Sequence, residues 1–276
     1  MACMPVVRVE SAEDGRLAGY RAVSDPELAR AHGLFVAEGR RVVRRLLEVS
    51  AAVPQSVLVT ESARQSLADV LEARPELDVF ETPQAVMNAV AGFNIHRGCV
   101  ALALRPPLPA WEELAARASR LVVLEGVGDA DNVGSTFRCA AAFGVGGILL
   151  GPACADPLYR KAIRTSMAAT LSVPFAIAEP WPHVLAALQF RGWHVVGLTP
   201  RPDQEPLWEA GTGARHRRTA LVFGHEGDGL SRAALGACNV LARIPMAPGV
   251  DSLNVAVSVG VALYELARTP YTETES

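Results

Sequence analysis

The segment LVVLEGVGDADNVGSTFRCAAAFGVGGILLG, from Leu121 to Gly151, restricts the fold more than any other stretch of this chain. Leu121 to Leu124 is a short continuous apolar run, the pattern of a buried strand. Gly128, Asp129, Asp131, Asn132 and Gly134 make a polar turn. Ser135 to Phe143 predicts a helix that Gly144 stops, and Val145 to Leu150 predicts the next strand. Strand, loop, helix and strand in that order imply parallel strands with a helix laid over the sheet. Ligands bind such open sheets outside the carboxyl ends of the strands. Asn132, Gly134 and Arg138, spaced N-x-G-x-x-x-R, stand at that edge, with Asn132 expected in the loop and Arg138 on the helix. The neighbours of Arg138 are Phe137, Cys139 and Ala140 to Ala142, apolar or small residues among which an arginine without a task is out of place.

Two later segments add polar groups in comparable positions. In TALVFGHEGDGLSRAAL, Leu221 to Phe223 predicts a buried strand, Gly224-His225-Glu226-Gly227-Asp228-Gly229 a glycine-rich turn, and Ser231 a helix cap. No Lys-Ser/Thr follows, so the turn is not a P-loop. In IPMAPGVDSLNVAVSVGVALYELAR, a strand ends in Ile244-Pro245-Met246, a loop follows, and Ser252-Leu253-Asn254-Val255 opens a helix reaching Ala267. Ser252 and Asn254 there either cap the helix or hold a polar ligand.

In this order the three segments resemble the SpoU/TrmH-type RNA 2′-O-methyltransferases of the SPOUT superfamily. Asn132-x-Gly134-x-x-x-Arg138 resembles that family's first motif and Gly224-x-Glu226-x-x-Gly229-Leu230 its second. Ile244-Pro245-Met246 with Ser252-Leu253-Asn254-Val255 resembles its third, and Arg164-Thr165-Ser166-Met167-Ala168 resembles a segment between the first two. The resemblance covers roughly Leu121 to Arg268 and implies a C-terminal parallel sheet with helices on both faces and a deep trefoil knot. It implies S-adenosylmethionine as methyl donor, a ribose 2′-hydroxyl of RNA as acceptor, and no metal. Methyl transfer needs oxygen, carbon and sulfur held in line and a developing alkoxide stabilised. Arg138 is assigned that stabilisation; as an arginine it stays protonated and is a poor general base. Asn132 and Asn254 are assigned to the ribose or phosphate, Glu226 to orienting Arg138 or the ribose, and Ser252 to completing the network. The donor is expected against Gly224, Ile244, Met246 and Leu253, with Leu198 and Thr199, at another strand end, beside its adenine.

The proline-rich run Arg105-Pro106-Pro107-Leu108-Pro109 divides the chain. Residues 1–17 read as a tail, 18–105 as a small α/β domain, 106–118 as linker and leading helix, and 119–270 as the catalytic domain. In the small domain, Arg40 to Glu48 predicts a helix, Ser56 to Thr60 a strand, Leu67 to Leu71 a helix, Asp78 to Phe80 a strand and His96 to Ala103 a closing strand. Phe35-Val36-Ala37-Glu38-Gly39-Arg40 and His96-Arg97-Gly98 resemble the ribosomal-protein-like RNA-binding domain that precedes the catalytic domain in ribosomal-RNA members of the family. Arg40, Arg41, Arg44 and Arg45 are the candidate RNA contacts, and Arg215-His216-Arg217-Arg218 is a second basic cluster.

Composition sets limits on these readings. Net charge is −3, unusual for a nucleic-acid binder, so phosphate contacts must come from local patches. Cys3, Cys99, Cys139, Cys154 and Cys238 are scattered, as are the histidines, which predicts neither disulfides nor a zinc site. No apolar run spans a bilayer and no secretory signal opens the chain, which predicts a cytoplasmic protein. The helix after Asn254 carries apolar residues on more than one face, as a helix enclosed by its domain or facing a second subunit would, and the resemblance implies a homodimer there. Transfer RNA as substrate and a non-catalytic RNA binder are the alternatives. A Rossmann oxidoreductase is disfavoured, because Gly126-Val127-Gly128-Asp129 lacks the third glycine.

Overall fold

A computed structural model of the chain describes residues 6–21, 24–91, 97–210 and 218–268. Of the sequence expectations, those on Cys3, on His96 and on Arg215, His216 and Arg217 lie outside the described residues.

The first 107 residues run β1 (Val6–Arg8), α1 (Asp25–His32), β2 (Leu34–Glu38), α2 (Arg40–Val49), β3 (Val53–Val59), α3 (Glu61–Ser66), α4 (Ala68–Glu72), β4 (Asp78–Glu81), α5 (Gln84–Ala91) and β5 (Cys99–Leu104). The chain continues with α6 (Trp111–Arg117), β6 (Arg120–Leu124), α7 (Ala130–Ala142), β7 (Gly147–Leu150), α8 (Arg160–Thr165) and β8 (Phe175–Ile177). Then come α9 (His183–Phe190), β9 (His194–Leu198), β10 (Glu205–Pro206), β11 (Thr219–Phe223), α10 (Arg232–Gly236), β12 (Val240–Arg243) and α11 (Val255–Arg268). Two compact units result: residues 1–107 with 157–172, and residues 108–156 with 173–276.

The N-terminal unit holds a mixed sheet in the order β1-β4-β3-β5-β2, with β1, β4 and β3 parallel and β5 antiparallel to β3 and β2. Its composition differs from the sequence expectation at two places. Residues 6–17, expected in a tail, belong to the unit: Val6 to Arg8 pair with Val79 to Glu81, and Val9 and Leu17 are buried. A three-residue strand is too short for a period to show. Residues 157–172, expected in the C-terminal domain, pack into this unit instead. The Asp25 carboxylate accepts from the Arg160 backbone N–H at 2.9 Å and from its Nε at 2.5 Å. Ala162 and Ile163 beside them are buried. No local pattern announces contacts spanning 135 residues.

The C-terminal unit is a seven-stranded, all-parallel sheet in the order β10-β12-β9-β11-β6-β7-β8. Its central strands are apolar throughout because both faces are covered. Leu121, Val123, Val195, Ala220 and Val222 meet Trp111, Leu114, Val184, Leu185 and Leu188 of α6 and α9 in one core. The alternate residues Val122, Leu124, Val196 and Leu221 are also fully buried, and Phe137 of α7 makes an edge-to-face contact with Phe175. From β6 the chain first builds β7 and β8 on one side, then crosses to build β9 to β12 on the other. The carboxyl ends of β6, β9, β11 and β12 therefore converge at a topological switch point.

Candidate functional site

Each of those converging strands delivers a loop. β6 leads to Glu125 and Gly126, β9 to Thr199 and Arg201, β11 to the glycine-rich turn, and β12 to Ile244 and Met246. A cavity of about 310 Å³ lies among the last three loops and the start of α11. Leu198, Thr199, Gly224, Ile244, Met246 and Leu253, the six residues expected around the methyl donor, all line it. So do Glu226 and Ser252, together with Arg201 and His225, to which the sequence reading assigned no role.

The glycine-rich turn has a tight shape. His225 and Gly229 exchange backbone hydrogen bonds at 3.1 and 2.9 Å. A Cβ on Gly224 would lie 2.2 Å from the carbonyl carbon of Gly229, so only glycine fits there. His225 Nδ1 accepts the N–H groups of Gly227 at 2.9 Å and Asp228 at 3.2 Å. His225 thus shapes the turn that presents Glu226.

Three of the predicted catalytic side chains meet. Asn132 Nδ2 donates to Glu226 Oε1 at 2.5 Å, and Asn254 Nδ2 donates to Asn132 Oδ1 at 2.8 Å and to Glu226 Oε1 at 3.1 Å. Asn254 Oδ1 accepts from the N–H groups of Ala256 at 2.9 Å and Val257 at 3.3 Å. Helix capping and site building, read from the sequence as alternatives, are both done by this one amide. Asn132 is not in a loop as expected: α7 starts five residues early, with Asp129 accepting the Asp131 N–H as its cap, so Asn132 sits in the first helical turn. The helix-starting signal was the aspartate, hidden in what reads as a polar turn.

Two predicted residues stand apart from this network. The Ser252 hydroxyl lines the cavity but has no hydrogen-bond partner among the described residues. Arg138, on α7, is exposed and makes no hydrogen bond or ion pair with the described residues, so Glu226 engages the two asparagines and not the arginine. Burial pushes the Cys238 thiol up to about 12 and holds the Cys139 and Cys154 thiols above their ordinary value, with Arg138 only partly offsetting this at Cys139. None of the three supplies a thiolate nucleophile near neutrality. No group of three or more metal-ligating side chains occurs among the described residues.

The four candidate arginines of α2 divide into two pairs. Arg44 is tied to Asp69 by two hydrogen bonds of 2.6 and 2.8 Å and also donates to the Ser66 carbonyl. Arg40 donates to the Arg97 carbonyl at 3.2 Å and to Ser62 Oγ at 2.9 Å. Arg41 and Arg45, one helical turn apart on the exposed face of α2, have no such partners among the described residues.

Comparison with known proteins places this geometry in a family. The profile of the SpoU rRNA Methylase family matches residues 119–264. A tRNA/rRNA methyltransferase of Mycobacterium tuberculosis, itself uncharacterised, is 40% identical over 261 residues, covering 93% of this chain and 90% of its own length. The crystal structure of an AdoMet-bound rRNA methyltransferase from Sinorhizobium meliloti superposes with a TM-score of 0.79 over 95% of this chain and 97% of that one, at 23% identity, a likeness of fold. An RNA 2′-O ribose methyltransferase structure superposes with a TM-score of 0.76 at 25% identity over 95% and 98% of the two chains. Profile and sequence relative agree with the three converging motifs: the chain belongs to the SpoU methylase family and is an RNA methyltransferase.

Proposed function

We propose that this chain moves a methyl group from S-adenosylmethionine to a ribose 2′-hydroxyl of RNA, ribosomal RNA ahead of transfer RNA, as a cytoplasmic homodimer that uses no metal. The observation that carries the reading is the Asn132–Glu226–Asn254 network, which ties the three motif segments together at the rim of one cavity.

The cavity suits the donor. Its volume is in the range of small-molecule sites, roughly 300–1,000 Å³. Leu198, Leu230, Leu235 and Leu253 offer apolar contact to a purine, and the backbone of the glycine-rich turn is open to close approach. Glu226, Asp228 and Asp251 bring negative charge to a site meant for a sulfonium cation. S-adenosylmethionine, when bound, supplies an electrophilic methyl group. The protein's share is positioning: Asn132, Glu226 and Asn254 orient the ribose, Ser252 adds a hydroxyl beside it, and Arg138 meets the acceptor oxygen or the adjacent phosphate. An unpaired, permanently charged guanidinium stabilises developing negative charge without first breaking an ion pair.

Ribosomal RNA is favoured by the N-terminal unit, where Arg41 and Arg45 offer phosphates two exposed cations without an ion pair among the described residues. A dimer is supported by α11. Val257, Val261 and Tyr264 are exposed along one stripe, while Val259 and Leu263 are buried. The non-catalytic alternative predicts a chain that takes up no S-adenosylmethionine. Mapping ribose methylation by mass spectrometry in RNA from cells with and without the protein tests the proposal. One nucleotide should lose its 2′-O-methyl group, and an unchanged map overturns the reading.

A further inference from the structure

Glu125 is the first residue after β6 and is 8% exposed. Its backbone N–H donates to the carbonyl of Phe223, the last residue of β11, at 2.9 Å. Its carboxylate Oε2 accepts the N–H of Ser231 at 2.8 Å, and Oε1 accepts the indole Nε1–H of Trp181 at 2.6 Å. Phe223 and Ser231 are the two stems of the 224–230 turn, so one residue grips both. Ser231 carries the grip onward by capping α10 through its hydroxyl, which accepts the Ala234 N–H at 3.1 Å. Both carboxylate oxygens take N–H donors, an arrangement made for the ionised acid. Hydrogen bonds to a buried charge are among the stronger ones, and a buried N–H left without its acceptor is costly.

We propose that Glu125 is a positioning residue, and that its bond to Ser231 fixes the turn presenting Glu226 and the cavity's glycine-rich wall. The inference rests on the methyl-donor reading of the cavity for its consequence, but not for its geometry. The competing explanation is that Glu125 only satisfies a buried tryptophan. Two substitutions separate them. Glu125→Met removes both acceptors at similar volume, whereas Trp181→Phe removes the indole donor and leaves Ser231 held.

Amide hydrogen exchange on the free chain gives the direct readout. Glu125→Met should speed exchange in peptides spanning 224–231 and leave the rest of the C-terminal sheet unchanged, and Trp181→Phe should not. Calorimetric titration with S-adenosylmethionine should show affinity weakened roughly ten-fold by Glu125→Met and nearly unchanged by Trp181→Phe. Unaltered exchange at 224–231 in Glu125→Met, or an equal loss in Trp181→Phe, overturns the proposal. If Glu125→Met does not fold, Glu125→Gln in the Trp181→Phe background replaces it. Its amide carbonyl then has one donor to serve, Ser231, and exchange at 224–231 should stay as slow as in the wild type; faster exchange there in a folded chain also overturns the proposal. A wild-type chain that takes up no S-adenosylmethionine refutes the methyltransferase reading, while the exchange comparison still decides the role of Glu125.

Discussion

Several charged side chains of the N-terminal unit are used in the opposite way to those at the motif residues of the C-terminal unit. In the N-terminal unit Glu81, 7% exposed, is held by Arg64 at 2.5 Å and Arg8 at 3.1 Å, Arg44 is engaged by Asp69, and Arg160 by Asp25. In the C-terminal unit the carboxylate of Glu226 is met by asparagine amides, and Arg138 is left uncommitted in solvent. A cation already satisfied by its own fold has little to offer a ligand, because binding would first have to break that pair. The contrast teaches where to look for function: at the charges that the fold leaves unsatisfied.

The same contrast runs along α11 and yields the largest expected effect. Val259 is fully buried and Val257 half exposed. Val259→Glu places an unpaired charge in the core and should cost about 4 kcal/mol or more, giving an unfolded or insoluble chain. Val257→Glu should leave a folded chain that sediments as a monomer. Leu263, like Val259, turns inward, so neither is available to a second subunit. A dimeric Val257→Glu protein would remove α11 from the interface.

Arg138→Ala comes next. Loss of about 2 kcal/mol or more of transition-state stabilisation should nearly abolish methyl transfer. Thermal stability and S-adenosylmethionine affinity should hold, since the side chain serves no described contact. Normal turnover in the folded variant would end the catalytic assignment.

Glu81→Gln probes the committed side of the comparison. It should lower stability by about 2 kcal/mol, moderated because Arg8 is largely exposed, and leave cofactor affinity untouched. The Arg64 guanidinium, then Arg8, holds the Glu81 carboxyl below its usual 4.5 against the opposing effect of burial. The folded state therefore binds fewer protons than the unfolded chain around this pH. The stabilisation is complete above about 4.5 and is lost as pH falls through the folded value. Wild-type stability should decline on acidification in that window more steeply than that of Glu81→Gln, which thermal melts across pH would show.

The smallest effects are expected on α2. Arg41→Ala or Arg45→Ala should weaken RNA binding by about 1 kcal/mol and reduce the salt dependence by about one counterion. Arg44→Ala should change RNA affinity less, because Asp69 already holds that guanidinium. Equal losses at Arg41 and Arg44 in salt-titrated binding assays would show that ion pairing does not sort these arginines.

Much of the C-terminal sheet was legible because buried parallel strands are continuous apolar runs and their crossover helices begin and end on caps and glycines. Asn132, Glu226 and Asn254 were legible through the three motifs by which the chain resembles its family, each set in a segment between a strand and a helix. Glu125 was not singled out, although an acidic residue directly after Leu121–Leu124 is visible, because its partners Trp181 and Ser231 lie 56 and 106 residues away. The cut near Arg105 was legible in its prolines, but the return of residues 157–172 to the N-terminal unit was not. Deleting residues 1–105 alone would strip that segment of the Asp25 contact and of the core in which Ala162 and Ile163 are buried.

By itself the sequence determined the alternation of strand and helix, the parallel sheet, and which polar residues stand at strand ends, since these depend on periodicity and on residues close in the chain. The tertiary structure decided which of those residues touch, which arginines are tied up in ion pairs, which face of α11 turns outward, and which unit claims residues 157–172. Those outcomes depend on contacts between positions far apart in sequence, whose energies exist only once the sheet order has brought them together.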